Sequence, residues 1–235
     1  MAIDDLPMPV VNLLNVIGVP WPYINEDTVT QFATLTRDFG QAVQTTHQDA
    51  TDAIAAVAKA HQGPSTERMQ SGWSNMSSQH VDELGIACHV LADALDVAAG
   101  YIVAQKAEAI ATLVGMAAAF IADQAAAVAT FGLAEAAVPL IIEGAERLIK
   151  SLVMDLQQYI IGMVVEAAAK PLFAKVEEAM VGLDWSKSGA AATTGTGFTV
   201  EPAAVRVQTE ALRTHAATMR AHGATFQQGL QGLSF

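Results

Sequence analysis

The chain has 235 residues, 52% of them hydrophobic and 15% charged, enough apolar material for one large or two small domains. Acids outnumber bases 24 to 12, for a net charge of −12, and the bases are scattered. That balance excludes a protein that holds nucleic acid or anionic lipid by charge alone, which needs clustered Lys and Arg, and the single Cys88 excludes an intrachain disulfide.

Alanine dominates and strand formers rarely alternate with period two, so the expected class is all-α. Residues 1–24 are expected to form an extended N-terminal arm punctuated by Pro7, Pro9, Pro20 and Pro22, with room for a short helix in VVNLLNVIG. Two acids stand where a secretory signal needs a basic region, so no such signal is expected. VPWPYINED reads as a strip that docks aromatics on the body, with Trp21 and Tyr23 as its anchors.

The first long helix is predicted over 25–61, with Asn25 or Asp27 as cap and acids in its first turn. Its seam keeps a seven-residue repeat: Val29, Thr36, Val43, Ala50 and Val57 in one set, Phe32, Phe39, Thr46 and Ala53 in the other. Such a repeat calls for a partner helix. Gly63-Pro64 ends the helix. A polar stretch follows, with Gly72-Trp73-Ser74-Asn75 expected in the chain reversal. The second long helix is predicted from Ser77 or Ser78, again in heptads: Val81, Cys88, Leu95, Ile102, Ala109 and Met116, with Leu84, Leu91, Ala98, Gln105 and Thr112. Gly132 or Pro139 ends it.

Ala109–Ala122 is uncharged over fourteen residues, short of the roughly 20 that a spanning helix needs. From Ala109 to Ile142 the only charges are Asp123 and Glu135. A buried bundle helix fits this segment, and so does one that enters a membrane after rearrangement. Val114, Phe120, Phe131 and Ile141 mark the candidate membrane-active segment. A third helical block runs over 140–181, then a Gly/Ser/Thr linker at 183–200, then an amphipathic C-terminal helix within 201–235. Pro202 suits its first turn. The expected architecture is a long antiparallel helical hairpin with further helices packed on it as an elongated bundle, the body spanning 25–182.

A long helix, a short turn containing Trp-x-Gly and a second long helix describe the small helical-hairpin proteins of actinobacterial type VII secretion. The stretch at Gly72, Trp73 and Asn75 resembles that turn. Trp73 matches the family's Trp, and Asn75 stands in place of Gly, whose tolerance of positive φ it shares. The chain thus resembles the WXG-type helical-hairpin superfamily. From roughly 15 to 185 its order of elements is similar to the N-terminal helical module of polymorphic toxins, such as the mycobacterial outer membrane channel and necrotising toxin proteins. Phe198–Phe226 is similar to the first helix of short secretion-associated hairpin proteins, completed here by a partner or by folding back on the chain's own bundle.

The resemblance implies a non-enzymatic protein that is a type VII substrate or the export module of a toxin. Its expected partners are another helical hairpin protein or a second copy, and the secretion machinery. It implies release to the cell surface or medium without a signal peptide; the alternative is a membrane-associated, channel-forming or self-assembling scaffold protein. A Tyr-x3-acid export signal is matched only at Tyr23–Asp27, before the first helix; Tyr101 and Tyr159 are followed at that spacing by Gln105 and Met163. No catalytic constellation, cofactor motif or metal-ligand spacing is found around His47, His61, His80, His89, His215 and His222, and no nucleic-acid partner is expected. Trp73 has three readings: a plug closing the hairpin, a contact for a partner, or ordinary packing.

Overall fold

The computed structural model describes residues 6–77, 81–129, 138–171, 174 and 201–234. Its elements are α1 (Met8–Ile17), α2 (Glu26–Ala60), α3 (Pro64–Met76), α4 (Asp82–Ala129), α5 (Val138–Tyr159), a π-helical segment (Ile160–Ala169) and α6 (Pro202–Gln231). No strand occurs among the described residues, and the chain is an all-α helical bundle. The expected linker at 183–200 lies outside them.

Local chemistry sets the element ends. Part of the N-terminal arm is helical: α1 closes on Gly18 in the left-handed region at φ 70°, a conformation that glycine adopts without strain. Asn25 caps α2 by accepting the Thr28 N–H at 3.1 Å. Glu26 and Asp27 follow in the first turn, on the positive end of the helix dipole. Asp82 and Glu83 do the same for α4.

Two compact units share these helices. The first holds α1, the start of α2, residues 95–129 of α4 and α5 with the π-helical segment to Val165. Its core is built from Val10, Leu13 and Leu14, from Leu95, Ile102, Leu113 and Ala117, and from Ile149, Leu152 and Leu156. Tyr101 and Tyr159 stack with ring centroids 3.9 Å apart. The second unit holds the rest of α2, α3, the first turns of α4 and α6. There Gly40 of α2 faces Cys88 of α4 so closely that a Cβ on Gly40 would stand 2.8 Å from the Cys88 Cβ.

The seam of α2 follows the heptads closely: Val29, Thr36, Val43, Ala50 and Val57 are all buried, and in the second set Thr46 and Ala53 are buried while Phe32 and Phe39 are half-buried. The seam of α4 does not. It keeps the repeat through Cys88, Leu95, Ile102 and Ala109 in one set and through Leu91 and Ala98 in the other, then slips by one residue, burying Lys106, Leu113 and Ala117 while Gln105 and Met116 are only half-buried and Thr112 is exposed. A straight helix turns ~20° past a seven-residue repeat in every heptad, so over 48 residues the core face moves on to later positions.

Candidate partner interface

Gly63-Pro64 does more than end α2. Proline is favoured at the first position of a helix, and Pro64 opens α3, a thirteen-residue helix that contains Trp73. The expected reversal loop is therefore helical at Gly72-Trp73-Ser74-Asn75. The positive-φ argument for Asn75 falls away, since Asn75 lies within the right-handed helix α3. Gly72 and Asn75 are exposed; Trp73 is half-buried.

Trp73 is held by one turn of α2. Its indole stacks on His47 with centroids 5.0 Å apart and planes 15° from parallel. Its Nε1–H donates to Thr51 Oγ1 at 2.9 Å, one helical turn further on. The Thr51 hydroxyl in turn donates to the His47 carbonyl. His47 Nε2 is hydrogen-bonded to Ser77 Oγ, just past the end of α3. Burial holds the His47 imidazole below its ordinary value of 6.5 because the charged form loses water, and Asp82 opposes this in part. Neutral His47 thus serves as a flat shelf for the indole.

The N-terminal arm is fixed only in part by the residues expected. Trp21 is buried, 4% exposed, but Tyr23 is 71% exposed. Its place is taken by the backbone beside it. Lys106, fully buried, donates from Nζ to the Ile24 carbonyl and to Glu26 Oε2 at 2.8 Å. The ammonium thus ties the last residues of the arm and the first of α2 to α4. A cleft of about 540 Å³ lies between Pro20, Trp21 and Pro22 of the arm and Glu146, Ile149, Lys150 and Val153 of α5. In sequence the signal for this tie was a lysine one turn beyond Ile102 on the core face of α4; the strict heptad passed it over.

The broadest feature lies on the outer side of α4. Val97, Ala104, Ala111 and Ala118 form one seven-residue set, and Gly100, Ala107, Val114 and Ile121 a second, offset by three. All eight are exposed. Together they form an a/d seam of coiled-coil type that no helix among the described residues covers. Its small members leave room for a close-packed backbone, and Asp96 and Glu108 are exposed beside it. Of the expected membrane-active residues, Val114 lies on this seam, Phe120 and Ile141 are half-buried, and Phe131 lies outside the described residues. By length and composition Asp82–Ala127 and Val138–Glu166 are apolar enough to cross a membrane, with 39% and 22% of their most apolar windows buried. Among the described residues no three His, Cys, Asp or Glu side chains gather as a metal site.

A protein-family model described as a WXG100 like domain matches residues 4–143. The match runs from the N-terminal arm into α5 and includes Trp73 and the exposed seam of α4. No curated protein and no solved structure matches the chain.

Proposed function

The chain belongs to the WXG100-like domain family, and from that premise we propose that it is a type VII secretion-associated helical protein, a secreted substrate or the export module of a larger toxin. It works by helix–helix pairing. The exposed seam of α4 carries this reading: an apolar stripe of several turns is buried by a partner helix when function requires association. The partner is a helical hairpin protein, and the bundle they form is the exported species. Trp73, stacked on His47 and bonded to Thr51, fixes α3 against α2. The exposed edge of α3 at Gly72 and Asn75 is the contact offered to the partner or the secretion machinery. The protein is released to the cell surface or the medium by the type VII machinery. Deleting the secretion ATPase in a competent host tests this: the chain accumulates in the medium of the parent strain and stays in the cytosol of the deletion strain. Retention in the cytosol of the competent strain overturns it.

One observation favours a second reading, membrane activity after export. Two helices are long and apolar enough to span a bilayer, and neither is mostly buried. Leakage of liposomes exposed to the purified chain is the expected result; intact liposomes at every pH remove it.

A further inference from the structure

The second unit is covered on one side by α6, and that cover is thin. α6 has thirty residues and buries none of them, whereas α5, with twenty-two, buries Ala145, Ile149, Leu152 and Leu156. Its half-buried face mixes polar with apolar residues: Gln208, His215 and Thr218 stand among Val205, Leu212 and Met219. The contacts that hold it run antiparallel along α2. His222 Nε2 is hydrogen-bonded to Thr46 Oγ1 at 2.9 Å, Phe226 stacks on Phe39 at 4.7 Å, and Gly229 lies over Leu35, where a Cβ would come within 2.8 Å of a leucine methyl.

Charge adds a second observation. The helix Pro202–Gln231 has three arginines and one acid, a net +2 in a chain of −12. The helix it lies on, Glu26–Ala60, has five acids and two bases, a net −3. A basic helix is thus drawn to an acidic one by attraction that acts between chains as well as within one.

We propose that this face of α2 is an exchangeable helix site, and that α6 of a second copy of the chain takes the place of the resident α6 there. The occupant is the helix that already fits the site within each chain, and every copy carries it. A helix that buries no residue opens far more readily than the bundle unfolds, and the uncovered Leu35 and Phe39 favour refilling from either source. The exchange concerns the purified chain alone, so its failure leaves the secretion reading untouched.

Cysteine pairing between two full-length variants tests it. One chain carries Leu35→Cys, the other Gly229→Cys. Burial pushes the native Cys88 thiol up to about 11, which keeps it out of thiol exchange. After mixing and oxidation, a disulfide-linked heterodimer is expected that is absent from either chain alone, and Phe226→Ala in the Gly229→Cys chain lowers its yield. A chain carrying both cysteines is expected to close within itself when dilute and between copies when concentrated. Intrachain closure at all concentrations, with no heterodimer in the mixture, overturns the proposal; so does failure of both. Light scattering of the unsubstituted chain gives a readout free of cysteine: a dimer fraction rising with concentration is expected, and a monomer throughout contradicts the exchange.

Discussion

At the scale of single residues, two buried polar groups govern how the fold responds to change. Lys106 and Glu26 form an ion pair almost wholly out of water. Removing one partner leaves the other charge buried without its counter-charge, a loss of about 3–5 kcal/mol, whereas replacing both by apolar residues of similar volume is often neutral or stabilising. Lys106→Met should therefore lower the urea midpoint sharply, and adding Glu26→Leu should restore much of it. His47 contributes to the pH response. Its folded-state value lies below 6.5 through burial, so the unfolded chain binds more protons as pH drops below that value. Stability from this group is present above about pH 6.5 and is lost as pH falls through it. Urea unfolding at pH 7.5 and 5.5 should show the drop, and His47→Gln should flatten it. Trp73→Phe keeps the ring on His47 and loses the bond to Thr51; a loss of about 1 kcal/mol is expected from denaturant unfolding.

At the scale of elements, packing rather than helix propensity decides the sign of a substitution. Gly40 and Gly100 lie inside α2 and α4, where alanine is better by ~1 kcal/mol on propensity alone. Gly100 has open space around its Cα, so Gly100→Ala should raise the melting temperature of the isolated chain. Gly40→Ala should lower it, since the new methyl meets a Cβ rather than the end of a flexible side chain. The same distinction marks what was legible in the sequence. The all-α class, the long helices and the α2 seam follow from periodicity, because heptads report one helix's core face directly. Along the second half of α4 that rule failed at Gln105, Thr112 and Met116, since nothing in a strict repeat carries the slow rotation of a straight helix. The expected anchoring by Tyr23 failed for another reason: a lysine distant in sequence, not that tyrosine, secures this part of the arm. The helix around Trp73 was masked by reading Pro64 as a stop, although the same residue is a start.

For the molecule as a whole, the exposed α4 seam and the family membership point the same way. A chain with a net charge of −12 keeps apolar residues in water along several turns of its longest helix. That is explained if the helix is built to be covered. Charging the seam should then remove function without removing the fold. Ala104 and Ala111 are exposed, so Ala104→Glu with Ala111→Glu leaves the circular dichroism and melting of the isolated chain close to the parent. The most direct measurement is the fraction of each chain released into the medium by a type VII-competent host. The account predicts ATPase-dependent release of the parent and retention of the folded double variant. Equal release of the two, or retention of the parent in the cytosol, would contradict it.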